Sequence, residues 1–533
     1  MAARARLEAT RESGPVTHGD LKAVTEIWRW GGLALGIDHF SSFGDLWAAL
    51  WVCGFMMESC EVWARDEFGA VDLGDARLEK RAVGMATAMA CRPNDKISRV
   101  FDSSGEREAA YRFVENERVQ PSALVQACAR AAAQRSAGRA FVYVPIDGTC
   151  LRVVDHELVK GFGPIGDTKT KARGLNVMSA IAVDPVGRVP LGLCAQVWWN
   201  RPKKPKGVKN NHRDKRPLEM RESNHWLTAL RFVTELFRSE APSVTPWFQL
   251  DRGGDYRQVL KLAVDERLLL TVRATYNRRL DTPRQKYLFN TLALQPVLGT
   301  YEVEVPAHEN TPQRVATLSV RAATVSLRLN NIKGRTERVI SFGAVHVREQ
   351  RAPKGQKRIE WRLLTTHPVS GFEDALAVVE GYTARWTIEE FHRTWKSGAC
   401  DIEKSQLRAP ATLQRWAIML AAVALRIERL KKLSRESPEL PATTELTATE
   451  IDAAYLLRRP KSPLAIGEVP TLGEVTRWIA DLGGYTGKSS GGPPGTVVIA
   501  RGMLRVLAAA QALEADRERR AVSEPPKRVA KKK

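Results

Sequence analysis

The chain has 533 residues, 44% of them hydrophobic, and 82 Lys and Arg against 60 Asp and Glu give a formal net charge of +22. That length suits about three or four domains with ordinary apolar cores, and the charge suits a polyanionic partner, nucleic acid before a membrane surface, since no long basic amphipathic anchor stands out. The seven Cys, at 53, 60, 91, 128, 150, 194 and 400, form no C-x-x-C pair and no His pair stands at zinc spacing, which argues against a zinc or disulfide framework and for a reducing cytoplasm.

Residues 1–56 are rich in Gly and Trp, show no clear period and carry no assignable function. Leu46 to Met57 is their most apolar run, too short to span a bilayer and too far along for a signal peptide. Met56 and Met57 leave two readings open, a natural start there or a real extension before it.

From Glu61 to about Gln126 the pattern is helical. In VDLGDARLEKRAVGMATAMA, Asp75 is an expected N-cap, Leu78, Val83, Met85 and Met89 supply apolar positions, and Arg77, Lys80 and Arg81 supply cations on the polar face. After a loop (Arg92 to Lys96), REAAYRF continues the helical pattern at Arg107 to Phe113.

At Ala140 the pattern turns extended, and FVYVPIDGTCLRVV places Asp147 inside a strand. A buried carboxylate there is costly unless paired or metal-bound, although Gly148 also permits a strand-end turn, and Asp155 competes from beyond the strand. GFGPIG (Gly161 to Gly166) satisfies G-x-G-x-x-G but precedes Asp-Thr-Lys-Thr-Lys rather than a helix, so it reads as a loop. Strands are expected at Leu175 to Val183 and Val189 to Trp199, followed by a basic loop from Arg201 to Arg216. That loop is a solvated segment, a set of phosphate contacts, or both.

A helix at His225 to Ser239 leads to the strand in TPWFQLDRGGD, with Asp251 at its C-terminal end, where sites form in open α/β sheets. Asp255 competes but is expected to cap the next helix, YRQVLKLAVDE. The strand Leu268 to Thr275 carries Arg273. From Arg278 to Arg362 the sequence alternates as β, in TYEVEVPA, TLSVRAATVSLRL, RVISFGAVHV and RIEWRLLTT, with Trp361 near its end.

Tyr382 to Lys396, YTARWTIEEFHRTWK, contains no Gly or Pro and is expected to be one continuous helix. Tyr382, Arg385, Glu389 and Lys396 share one face, and Ile388, Phe391 and Trp395 form an apolar stripe elsewhere. Glu390 is turned about 100° from Glu389 and is expected to make only an exposed ion pair. A plain surface helix with Arg385–Glu389 and Glu389–Arg393 pairs is the simpler reading of the pattern taken alone. Beyond Ser405 the chain reads as helices around loops up to the mid-510s, and it ends in a basic tail, PPKRVAKKK.

The series Tyr-x2-Arg-x3-Glu-x6-Lys, with its flanking Trp386 and Ile388-Glu389-Glu390-Phe391-His392, resembles the YREK signature of bacterial cut-and-paste transposases. These form the insertion-sequence-four family, which includes the Tn-five transposase. LGDARLEKR and AAYRF resemble its N-terminal DNA-binding domain, DRGGD its second catalytic Asp box, and TLGEVTRWIADLGGYTGKSSGGPPG its C-terminal dimerisation region. The family's first catalytic Asp precedes a Thr, often as Asp-Thr-Thr; here it is Asp-Gly-Thr, a small shift in register.

The resemblance implies an α/β fold, namely an RNase H-like catalytic core with a β-rich insertion between helical DNA-binding and dimerisation domains. The expected boundaries are 1–56 for the extension, 57–126 for DNA binding, 127–277 with 366–404 for catalysis, 278–365 for the insertion, 405–513 for dimerisation and 514–533 for the tail. It implies Asp147, Asp251 and Glu389 as catalytic and metal-binding residues. Tyr382, Arg385, Lys396, Arg273, Trp361 and Trp386 are the expected DNA contacts, the two Trp near a flipped base.

Three carboxylates brought together repel, and divalent cations relieve that repulsion; an all-oxygen set favours Mg2+, with Mn2+ as a substitute. Two such ions about 4 Å apart support in-line phosphoryl displacement. The implied protein cleaves transposon ends and joins their 3′-OH groups to target DNA. It works as a homodimer in a synaptic complex, off the membrane, in the bacterial cytoplasm at the nucleoid. A non-catalytic DNA-binding inhibitor, a domesticated relative, or a nuclease without strand transfer are the alternatives.

Overall fold

The computed structural model describes residues 59–533 except 95, 156–160, 167–171, 203–218, 220, 283–285, 306–312, 331–335, 460–463, 465–467, 488–491 and 524–533. The extension 1–56, most of the basic loop and the last part of the tail, 524–533, therefore lie outside the described residues, while 514–523 belong to a helix.

The chain opens with five helices: α1 (Ser59–Phe68), α2 (Ala76–Cys91), α3 (Ile97–Val100), α4 (Ser104–Glu115) and α5 (Pro121–Ser136). Asp75 caps α2 as expected, its carboxylate accepting the Arg77 N–H at 3.0 Å. Met85, Ala86 and Met89 turn inward while Arg77, Lys80 and Arg81 stay exposed, so the charged and apolar faces separate as the spacing requires. Ser103 and Glu106 form a capping box that starts α4 ahead of the expected segment.

One ten-stranded sheet follows, built from β1 (Phe141–Val153), β2 (Gly163–Pro164), β3 (Arg173–Val183), β4 (Pro190–Trp199), β5 (Thr245–Leu250), β6 (Leu269–Arg273), β7 (Gly299–Val305), β8 (Arg314–Asn330), β9 (Thr336–Glu349) and β10 (Glu360–Thr365). The order is β2-β3-β1-β5-β6-β10-β9-β8-β7, with β4 also paired to β3. β1 runs antiparallel to β3 and parallel to β5, and β5 runs parallel to β6. Helices α6 (Asn224–Glu240) and α7 (Arg257–Asp265) lie between the parallel strands in sequence and bury Leu230, Val233, Val259 and Leu260 against the sheet.

The β-rich stretch after residue 278 continues the core sheet. β10 pairs with the edge of β6, Leu364 opposite Val272 and Thr365 opposite Thr271, and β9, β8 and β7 follow outward as an antiparallel meander. An open β6 edge would leave a row of backbone groups unpaired; β10 satisfies them. A short helix, α8 (Leu288–Leu294), precedes β7.

The signature stretch is two helices, α9 (Phe372–Ala384) and α10 (Trp386–Lys396), rather than one. At the junction the Arg385 N–H bonds Tyr382 O at 3.2 Å and the Ile388 N–H bonds Arg385 O at 3.1 Å, three-residue steps that tighten the turn. Gly381 lets α9 press on the sheet, since a Cβ there would lie 2.7 Å from Gln249 Nε2 and 2.8 Å from the Tyr143 ring.

The long α11 (Pro410–Glu436) then enters the main core. Trp416, Ile418 and Leu420 are fully buried in the same cluster as Met85 of α2, Leu151 of β1 and Trp395 of α10. Helices α12 (Ala448–Arg458), α13 (Leu472–Leu482) and α14 (Thr496–Ser523) close a smaller cluster around Ile451, Val475, Ile479 and Val506. The Thr496–Arg517 part of α14 is long and apolar enough to cross a membrane by length and composition, but here Ile499, Val506 and Ala510 are buried against α12 and α13.

Candidate active site

Strand register brings the first two acids together. In the parallel β1–β5 pair Ile146 stands opposite Leu250, so the next residues, Asp147 within β1 and Asp251 just past β5, stand at the same level. Asp147 lies within β1 as expected, its carboxylate accepting the Gly148 N–H at 2.9 Å. Asp251 follows the last residue of β5 and accepts the Gly253 N–H at 2.7 Å, which fixes its carboxylate in the turn.

Glu389 comes from the first turn of α10. Arg385 joins it to the strands: its guanidinium bonds the Glu389 carboxylate and lies 3.4 Å from Asp147 Oδ2. Burial, then the negative charges of Asp251 and Glu389, push Asp147 up to about 7, while Arg385 opposes that rise. Asp147 thus feels both other carboxylates, and Arg385 bridges it to Glu389. No group of three or more His, Cys, Asp or Glu side chains among the described residues converges as a metal cage.

In the unfolded chain Asp147 titrates near 3.8 and in the folded chain near 7. Between those values the folded protein keeps a proton that the unfolded chain has released, so stability falls as pH rises through this window. In divalent-free buffer, Asp147→Asn is therefore expected to raise stability by about 2 kcal/mol at pH 8, less than the full linkage because the Arg385 contact weakens. At pH 4 the gain should vanish. Melting curves at both pH values test this; a variant that melts below the parent at pH 8 overturns it.

The competing acids separate from this cluster. Asp155 lies past the end of β1. Asp255 does not cap α7, whose N-cap is Tyr256. It is buried instead, pairs with Arg278 and accepts the Thr275 N–H at 2.6 Å, a long-range structural anchor.

The expected DNA contacts divide. Trp386 is 55% exposed, and the Arg385 guanidinium stands 5.9 Å from its ring centroid. Tyr382 is buried, and its ring packs edge-on to the partly buried Trp361 with centroids 5.8 Å apart. Lys396 Nζ donates to Thr149 Oγ1 at 3.2 Å and lies 3.6 Å from Glu403. Arg273 Nη2 donates to the Glu360 carbonyl at 3.1 Å. Glu403, which also accepts the Arg152 N–H at 2.9 Å, carried no sequence signal, whereas Thr149 was marked by following Asp147 so closely.

The ion-pair partner of Glu390 is buried rather than exposed. Glu390 lies 3.3 Å from Nζ of Lys431, whose side chain is only 6% exposed.

Three family models match the chain: Transposase DNA-binding at residues 60–119, Transposase DDE domain at 299–426 and Transposase Tn5 dimerisation domain at 422–525. The DDE match contains Glu389 and begins downstream of Asp147 and Asp251. DNA binding, DDE catalysis and dimerisation in this order are the parts of a DNA transposase, a DNA-cleaving enzyme whose DDE domain uses a divalent cation and whose partners are DNA and a second copy of itself. The chain belongs to the Tn5-like DDE transposases, and the insertion-sequence-four family is consistent with the same matches.

Proposed function

We propose that this transposase works by cut and paste, with Asp147, Asp251 and Glu389 as its catalytic and metal-binding carboxylates. The observation that carries the reading is geometric: Asp147 and Asp251 follow paired residues of adjoining strands, and Arg385 bonds Glu389 and reaches Asp147, while burial and then its two acidic neighbours push Asp147 up to about 7. The donor set fits a divalent cation by its chemistry, all carboxylate oxygen, and Arg385 supplies the positive charge between two of the acids. Mg2+ is the proposed ion, Mn2+ its substitute, and a bound pair would activate the attacking oxygen and stabilise the leaving one. The core is proposed to be RNase H-like. Its first five long strands support this, taking the order β4-β3-β1-β5-β6 with the last three parallel.

In this reading the DNA meets Trp386, Lys396, Arg385 and Arg273 beside the acids, with Trp386 as the exposed face for an unstacked base. The Arg385 guanidinium stands 5.9 Å from the Tyr382 ring as well, and Tyr382 packs on Trp361. The proposed division is 57–126 for end binding, 127–277 with 366–404 for catalysis, 278–365 as the β-rich part and 405–513 for dimerisation, with α11 shared between that last part and the main core, in a protein of the bacterial cytoplasm that pairs two ends in a synaptic complex.

The test uses duplex DNA carrying the inverted repeats that flank the gene, with a target plasmid and Mg2+. The expected products are nicked ends, excised element and target joints. Cleavage without joints would reduce the protein to a nuclease, and binding without cleavage would make it a non-catalytic inhibitor. Affinity should also fall steeply with salt, as many phosphate contacts require; a flat salt response would remove the electrostatic part of the reading.

A further inference from the structure

A second set of charges, two of them buried, lies between α10 and α11. Lys431 of α11 lies 3.3 Å from Glu390 of α10 and pairs with Glu428, which also accepts the Thr394 hydroxyl. The side chains of Lys431 and Glu428 are 6% and 3% exposed. Removing charges from water is costly unless each is paired, and here each finds a partner. Glu390 and Thr394 are one helical turn apart on α10, and Glu428 and Lys431 one turn apart on α11, so the network joins the two helices at two successive levels.

The position of these links matters because α10 is short and is not carried on from α9. The turn at Arg385 interrupts the helix just before Glu389. Arg385 keeps right-handed helical angles, φ −57° and ψ −27°, so the rotation of α10 is set by this tightened turn together with what α10 packs on. Ile388, Phe391 and Trp395 fix it through shape, and Glu390 and Thr394 fix it through charge and hydrogen bonding. One residue of slip is about 100° of rotation, enough to swing Glu389 out of the acid cluster.

We propose that Lys431 is a positioning residue for the reaction: through Glu390 it holds α10 in the rotation that presents Glu389 to Asp147 and Asp251. Lys431 and Glu428 lie within the residues that match the dimerisation domain, while Glu390 lies within the DDE match alone. The network therefore ties the catalytic helix to the segment that leads into the dimerisation helices. The inference rests on the reading of Glu389 as a catalytic carboxylate.

The test compares full-length Lys431→Met, Lys431→Arg and Glu390→Gln with the parent. Mn2+ affinity is measured by calorimetry, the half-saturating cation concentration in nicking, and end binding by gel shift. Lys431→Met and Glu390→Gln should weaken Mn2+ binding and raise the half-saturating concentration about tenfold, the effect expected when a partner that orients a metal ligand is lost. End binding should hold, and Lys431→Arg should recover most of the affinity because it keeps the charge. Should Lys431→Met not fold, Glu390→Gln decides alone, since it leaves the Glu428–Lys431 pair in place. Parental Mn2+ affinity in Glu390→Gln would overturn the proposal and reduce the network to packing. A parent that neither binds Mn2+ nor nicks would instead overturn the reading of Glu389, a different and separable outcome.

Discussion

Glu389→Gln is expected to abolish nicking and strand transfer together while leaving end binding intact. The side chain sits in the first turn of α10 and shares Arg385 with Asp147. The amide nearly keeps its shape but removes one negative ligand from the cluster. Loss of several kcal/mol of charge stabilisation corresponds to at least about a thousandfold in rate. Both steps should fall alike, because one set of acids serves both phosphoryl transfers. Glu390→Gln behaves differently: its partner is Lys431 on α11, so excess cation should restore it, whereas Glu389→Gln should stay inactive at any Mg2+ concentration. The measurement is nicking of a labelled end over a Mg2+ titration, with a gel shift beside it. Near-normal nicking by Glu389→Gln, with loss in Glu390→Gln, would show that the two glutamates have exchanged roles.

Much of this site is legible in the residues because strands and helices have fixed periods. Asp147 interrupts a β-branched run, Asp251 ends one, and Glu389 sits at helical spacing from Arg385. The positions that escape the sequence are those decided by distant partners. Nothing local announces that α9 and α10 part at Arg385, since the stretch has no Gly or Pro; the same guanidinium is engaged by Asp147, far away in sequence. Tyr382 shares a helix face with Glu389 on paper, yet it is buried against Trp361. Asp255 looks like a cap until Arg278 is seen to pair with it. Alternation marks β7 to β10 as strands but cannot say that β10 completes the edge of β6. Lys431 reads as one more cation on a basic helix, and only the packing of α10 on α11 shows that it is buried.

A chain ended at Ser405 is expected to fail to fold. From sequence, a cut there should cost only end pairing, because the residues beyond it resemble a dimerisation region. The fold contradicts that separation. α11 begins at Pro410, and its Leu413, Trp416, Ile418, Leu420 and Val423 are buried in the cluster that also holds Met85 of α2, Leu151 of β1 and Trp395 of α10. The Trp395 indole N–H donates to Ala417 O at 2.9 Å, and Arg415 reaches back to the Val119 and Val114 carbonyls at 2.6 and 3.0 Å. Losing a single large core side chain costs about 2–5 kcal/mol, against a total stability of about 5–15 kcal/mol. Removing five such side chains with their helix exceeds that margin. The cut would also expose the underside of the DNA-binding helices, so single-end binding should be lost with pairing. A chain ended at Ser437 keeps α11 and should separate the two functions, melting cooperatively and binding one end without bridging two. Circular dichroism melts and light scattering of both chains on end DNA decide it. A cooperative melt and specific end binding by the chain ended at Ser405 would show that α11 is dispensable to the core.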